Sequence, residues 1–304
     1  MNDEAVLVVG TGAMACLFAG LLSAQAEVVM LGTWSEAVRA IRSGGVRLES
    51  EAGLQTCRPS ATDNPRDCLG VRQALVLVKA WQTPRAAAQL AECLAPEGVA
   101  LSLQNGLGNL EALGAALGDE RAAGGVTRMG ATLLGPGRVR VGGRGPTTVA
   151  DHRRIGSLDR YLRAAGLEVE RVADVTSVVW GKLAVNAGIN PVAALLRVMN
   201  GEVAARPGAA AIVRQAAQEV QAVARALGIE LPFEDAGEQA LAAARASAEN
   251  QSSMLQDVLR GARTEIDAIN GAVVRLAQAA GAQAPVNQVL WRLVSALTPE
   301  EEVG

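Results

Sequence analysis

The sequence predicts an α/β chain in two parts, a mostly parallel doubly wound sheet over residues 1–175 followed by an all-α region over residues 176–304. Three observations predict it. Short apolar runs rich in β-branched residues alternate with helical or turn-rich segments through the first half, as in strands joined by crossover helices. Ala-rich stretches with apolar residues at helical spacing take over after about residue 175. Half of the chain is hydrophobic and 19% is charged, which supports a sizeable core and removes disordered, collagen-like and coiled-coil readings.

The elements follow in order. Residues 5–9 read as a buried strand, Gly10, Thr11 and Gly12 as a turn, and Met14, Leu17, Phe18, Leu21 and Leu22 as one face of a helix. Strand-like runs recur at 28–31, 74–78, 99–103, 123–127 and 139–141. Residues 5–26 carry no charge and could span a bilayer by length. Asn2, Asp3 and Glu4 precede them with acidic rather than basic character, and the glycines interrupt the run, so strand, turn and helix are expected instead of a leader or a span. In the second half three helical patterns stand out: Ile212 to Leu227, Leu255 to Leu276 with Glu249 to Gly271 on one long helix, and Val286 to Leu297. Breaks are expected at Pro207-Gly208, 228–232 and 281–285, and a tight hinge near 170–178.

Composition narrows the partners. With 28 basic and 31 acidic residues the net charge is −3, and no basic block could neutralise a run of phosphates, so nucleic acid is not expected. Four Trp, one Tyr and two Phe are too few for stacking platforms. The one histidine, His152, lies in a charged stretch and reads as a solvated surface residue; a histidine-based hydride-transfer dyad or a His-rich metal site is disfavoured, and no metal is expected. Cys16, Cys57, Cys68 and Cys93 show no C-x-x-C spacing and read as reduced thiols of a cytoplasmic protein.

Two groups of residues carry chemistry. Gly10-Thr11-Gly12-Ala13-Met14-Ala15 is a G-x-G-x-x-A turn between strand and helix: the first glycine turns the chain, the second leaves room for a pyrophosphate, and the third small residue lets helix and strand pack. Dinucleotide binding is the expectation. Its type stays open at this point, because the second strand ends Leu31-Gly32-Thr33-Trp34 with neither the acidic residue that suits NAD nor the arginine that suits NADP; Arg39 and Arg42 follow on the next helix. Lys182, Asn186 and Asn190 stand at i, i+4 and i+8, one polar stripe on an apolar helix, which reads as a site, as a solvated stripe, or as a helix end before Pro191. Ser253 with Gln256 fits a capping box, and Glu265 and Asp267 read either as solvated carboxylates or as a counter-charge for a lysine.

These residues, with Leu77-Val-Lys79-Ala-Trp-Gln82, Gln104-Asn105-Gly-Leu-Gly108, Trp180-Gly-Lys182, Asn200-Gly-Glu202, Glu249 to Asp257 and Thr264 to Gly271, resemble in this order the ketopantoate reductase family, the 2-dehydropantoate 2-reductases of pantothenate and coenzyme A biosynthesis. The resemblance spans nearly the whole chain. It implies a Rossmann domain and a helical domain with a small-molecule substrate held between them, Lys182 as proton donor to the carbonyl oxygen, and Glu265 holding the lysine and touching the cofactor. It further implies Asn105 where cofactor and substrate meet, Lys79 on the cofactor phosphates or ribose, and Ala131 at the nicotinamide end. Asn186, Asn190 and Asn200 would bind the substrate's polar groups and Ser253 its carboxylate. NADPH is the expected cofactor; Thr33 stands where family members usually carry Arg, which leaves NADH open, with Arg39 or Arg42 as replacements. A related 2-oxo-acid reductase, a β-hydroxyacid dehydrogenase, whose glycine four residues before the lysine is Val178 here, and a non-enzymatic NADP sensor stand as alternatives. No membrane partner is expected, and the oligomeric state stays open, a homodimer included.

Overall fold

The computed structural model describes residues 5–297; Asn2, Asp3 and Glu4 lie outside them. Two compact units separate at Val175 and Thr176, except that the loop Asn105–Gly108 groups with the second.

The first unit contains β1 (Val6–Val9), α1 (Ala13–Leu22), β2 (Val28–Leu31), α2 (Ser35–Gly44), β3 (Val46–Ser50), β4 (Gly53–Cys57), β5 (Ser60–Thr62), β6 (Val71–Val76), α3 (Thr83–Cys93), β7 (Leu94–Ser102), α4 (Asn109–Leu117), β8 (Ala122–Thr127), β9 (Ala131–Gly135), β10 (Arg138–Val141), β11 (Thr147–Ala150), α5 (Gly156–Ala164) and β12 (Val169–Val172). Its main sheet has the order β12-β11-β8-β7-β6-β1-β2-β5. Every pair in it is parallel except β11 with β8, so the expected doubly wound sheet is present.

Strand β1 explains the layering. Its residues are all buried, as in a parallel strand covered on both faces. Val6 and Val8 join the core beneath α1, α2 and α5, whereas Leu7 and Val9 join the opposite core with Ala86 and Leu90 of α3 and Leu113 of α4. The apolar run 5–26 is thus a strand, a turn and a helix.

Sequence patterning missed a second sheet, of order β4-β3-β10-β9. The run 139–141 belongs to this sheet and not to the main one. Its strands are half polar, with Arg47, Arg138 and Arg140 facing solvent, so they lack the continuous apolar runs that mark the buried strands.

Among its described residues the second unit is helical: α6 (Thr176–Leu196), α7 (Asn200–Ala205), α8 (Pro207–Ala226), α9 (Ala236–Ala246), α10 (Ser253–Leu259), a π-helical turn (Asp267–Gly271), α11 (Ala272–Ala279) and α12 (Pro285–Ser295). Two expectations are corrected. The long helix from Glu249 to Gly271 is broken, because α10 ends at Leu259 and Gly261 turns the chain at φ +65°. Its cap is Ser252 rather than Ser253: Ser252 Oγ accepts the Leu255 N–H at 3.1 Å. By length and composition α6 could cross a membrane, but 67% of its apolar window is buried inside the protein, as in a core helix.

Helix α6 continues through Pro191, which excludes Asn190 as a helix end. Proline has no N–H for the Ala187 carbonyl four residues earlier. Asn270 Nδ2 replaces that donor at 3.0 Å and also donates to Asn287 Oδ1 at 2.9 Å. Asn287 Nδ2 in turn donates to the Ala216 carbonyl at 3.0 Å and to Glu219 Oε2 at 2.8 Å. The Glu219 carboxylate closes the set by accepting the Val286 and Asn287 N–H groups at the start of α12, where the helix dipole favours negative charge. Asn270 and Asn287 are both 0% exposed, so each lost bond would strand a desolvated group.

Asn270→Ala should therefore destabilise the protein by about 2–4 kcal/mol in denaturant unfolding, through the orphaned carbonyls and the small cavity. Pro191→Ala should recover part of that loss in the Asn270→Ala background, because it returns an N–H to Ala187. Additive effects of the two substitutions would exclude the substitution of one donor for the other.

Candidate active site

In the first unit the glycine turn is built by sterics. Gly10 has φ +127°, and a Cβ there would lie 3.3 Å from both Ala15 Cβ and the Leu77 carbonyl. Only glycine suits that position. Ala15 is fully buried and brings α1 close to β1. Gly12 is the N-cap of α1, makes no side-chain cap, and a Cβ there would meet no atom within 4 Å. Gly12 therefore leaves open space beside a helix start without a side-chain cap, as a turn that takes a pyrophosphate would need. Thr11 is buried, and its carbonyl accepts the Cys16 thiol at 3.5 Å. Burial pushes the Cys16 thiol up to about 12, so it is a packing group and not a nucleophile.

Lys79 is half-buried just beyond β6, and its N–H donates to Gln82 Oε1 at 3.3 Å. Ala131 opens β9 and pairs with Val141. At the end of β2, Thr33 is exposed, and Arg85 of α3 brings Nη1 to 3.5 Å from its Oγ1. Sequence reading missed Arg85, since nothing local links positions 52 residues apart. Arg42 is committed elsewhere: its Nε donates to the Ala61 carbonyl at 2.7 Å.

In the second unit α6 packs against α10 and the π-helical turn. Lys182 and Asn186 are half-buried on α6 and Asn190 is buried, so the stripe is not simply solvated. Glu265 sits just before the π turn, a local irregularity that often accompanies functional sites. It is 6% exposed, which removes the solvated-carboxylate reading. Asp267 differs: it is half-buried, accepts Trp291 Nε1 at 2.7 Å, and pairs with Arg263 at 3.6 Å.

The loop Asn105–Gly108 docks on that turn. Leu107 N donates to the Ala268 carbonyl at 2.9 Å, and Asn105 Nδ2 donates to Glu265 Oε2 at 3.4 Å. Gly106, at φ +80°, makes the approach feasible, because a Cβ would lie 2.6 Å from the Ala268 oxygen. Two residues 160 positions apart thus meet at one carboxylate.

The remaining predicted residues are more dispersed. Asn200 is buried and donates through Nδ2 to Ser247 Oγ at 3.0 Å, while its Oδ1 is buried with no hydrogen-bond partner. Ser253 is exposed at the first position of α10. His152 is half-buried rather than solvated; its Nδ1 accepts the Arg154 N–H at 3.2 Å, and burial lowers its pKa.

Comparison with known proteins follows this division. Residues 6–154 match the family model described as ketopantoate reductase PanE/ApbA, and residues 174–298 match that of its C-terminal part. A 2-dehydropantoate 2-reductase of Archaeoglobus fulgidus is 37% identical over 301 residues, 97% of this chain and 98% of its own. The crystal structure of a PanE/ApbA family ketopantoate reductase from Ralstonia eutropha JMP134 superposes with a TM-score of 0.89 at 33% identity, covering 97% of this chain and 98% of that one. A D-mandelate dehydrogenase with NADH and anilino(oxo)acetate also reaches a TM-score of 0.89, at 24% identity over 97% of this chain and 98% of its own; that likeness is one of fold. With both parts of its family model matched in order, and a relative above one-third identity over nearly its whole length, this chain belongs to the ketopantoate reductase family.

Proposed function

We infer that the protein is a 2-dehydropantoate 2-reductase, reducing ketopantoate to pantoate with NADPH for pantothenate and coenzyme A biosynthesis. The observation that carries this reading is that the half-buried Lys182 and the buried Glu265, with Asn105 on its carboxylate, belong to one compact unit of a chain in this family. The four buried free thiols fit a reducing compartment, the cytoplasm.

The residues of the first unit fit a dinucleotide: the turn Gly10, Thr11, Gly12, Ala13, Met14 and Ala15 at the pyrophosphate, Lys79 at the phosphates or ribose, and Ala131 at the nicotinamide end. NADPH is favoured over NADH because the residues that directly follow β2, Gly32, Thr33 and Trp34, include no carboxylate to accept hydrogen bonds from ribose hydroxyls. When bound, the reduced nicotinamide supplies the hydride.

As the carbonyl carbon gains that hydride, negative charge develops on its oxygen. The Lys182 ammonium stabilises the charge and transfers a proton from Nζ to the oxygen, leaving a neutral amine that solvent reprotonates. Glu265 holds the lysine, and Asn105 holds Glu265 through the 3.4 Å bond. Asn186, Asn190 and Asn200 take the hydroxyl and neighbouring polar groups, and Ser253 takes the substrate carboxylate. Neutral amides and hydroxyls orient a small acid without adding buried charge that would need compensation.

Purified protein should oxidise NADPH with ketopantoate and do so slowly with pyruvate or an aryl 2-oxo acid. Equal turnover on all three would replace the assignment by a general 2-oxo-acid reductase. Lys182→Ala should lower kcat by about 10²–10⁴ while dinucleotide binding, followed by cofactor fluorescence, survives; near-normal kcat would remove the lysine from the chemistry. Glu265→Ala should lower kcat/KM for ketopantoate by about 10- to 100-fold, with both kcat and KM affected. A change in KM alone would make it a binding residue only.

A further inference from the structure

The specificity-setting position for the adenosine ribose in this fold is the carboxyl end of β2. Here the strand ends at Leu31, and Gly32 follows without a side chain. A Cβ at Gly32 would come 2.5 Å from Thr11 Cγ2, so the phosphate turn itself demands that glycine. The first side chain beyond the strand is then Thr33, exposed and neutral. The cation at this position comes from another element, since Arg85 Nη1 lies 3.5 Å from Thr33 Oγ1.

A buried polar set anchors the helix that delivers Arg85. Thr83, at the start of α3 and 1% exposed, donates through Oγ1 to Asn109 Oδ1 at 2.7 Å and accepts from Gln104 Nε2 at 2.8 Å. The same amide donates to the Val78 carbonyl at 2.9 Å, tying the start of α3 to the chain leaving β6. Arg85 is two residues beyond this anchor. Its contact with Thr33 engages one of five guanidinium N–H donors, and a guanidinium binds phosphate through two parallel bonds. On α2, by contrast, Arg42 donates to the Ala61 carbonyl at 2.7 Å and faces Asp63 at 3.5 Å.

We propose that Arg85 recognises the 2′-phosphate of the dinucleotide, bringing positive charge from α3 to the neutral Thr33 at the end of β2. This rests on the reading of the protein as an NADPH enzyme. It makes Arg85 the specificity-determining residue of the cofactor site and gives Thr33 the role of steering the guanidinium.

Calorimetric titration of the full chain with 2′,5′-ADP and with 5′-AMP tests it without catalysis. The unaltered protein should prefer 2′,5′-ADP; Arg85→Ala should weaken that ligand by about 10- to 100-fold while 5′-AMP stays within about threefold. Arg85→Lys should fall between, because an ammonium lacks the paired donors. Thr33→Arg in the Arg85→Ala background should restore the preference, and the ratio of kcat/KM for NADPH over NADH should follow the same order. Undiminished 2′,5′-ADP affinity in Arg85→Ala, or no preference in the unaltered protein, would overturn the proposal. Binding selectivity lost in Arg85→Ala without ketopantoate turnover in the unaltered protein would sink the reductase reading and leave Arg85 in place. Turnover with unaltered 2′,5′-ADP affinity would do the reverse.

Discussion

The helical unit depends on one substitution of donors. Helix α6 carries the lysine and amide stripe, and Pro191 within it removes an N–H that the Ala187 carbonyl would otherwise receive. Asn270, at the π-helical turn, supplies that hydrogen bond and passes the demand through Asn287 to Glu219, whose carboxylate caps α12. A chain of neutral amides ending in a helix-capping carboxylate thus registers α6, α8, α12 and the turn against one another. Because Asn270 and Asn287 are fully buried, the cost of breaking their links keeps the arrangement single-valued.

That registration matters because Glu265 lies two residues before the same turn. A carboxylate with 6% exposure needs partners, and Asn105 provides one from a loop distant in sequence. The loop reaches it only because Gly106 has no Cβ to collide with Ala268. One irregular segment therefore holds both the core amide Asn270 and the candidate-site carboxylate Glu265.

The glycine turn of the first unit works by space rather than by contacts. Gly10 accommodates a left-handed backbone beside Leu77, Ala15 brings the helix onto the strand, and Gly12 leaves open room beside a helix start without a side-chain cap. The same turn constrains the end of β2, since Thr11 excludes a side chain at position 32. The conformation of the turn and the residue tolerated after β2 are linked through that packing.

Patterns with a short period were legible in the sequence. The continuous apolar run Val6 to Val9, the G-x-G-x-x-A turn and the lysine–asparagine stripe of α6 each lie within a few residues, so the fold class and these two parts of the candidate site follow from local order, whereas Lys79, Asn105, Ala131 and Asn200 were reached only through the family resemblance. The second sheet was not legible, because its half-polar strands lack the apolar runs of buried ones. Nor was the break after Leu259, where Gly261 ends a helical pattern whose apolar spacing runs on, or the cap at Ser252, one residue from an equally plausible serine. Tertiary structure alone decided that Glu265 is buried, that Asn105 meets it, that Asn270 replaces the proton Pro191 lacks, and that Arg85 reaches Thr33. Each depends on residues from 52 to 160 positions apart, and such pairings arise from the packing of whole elements, which one-dimensional spacing does not encode.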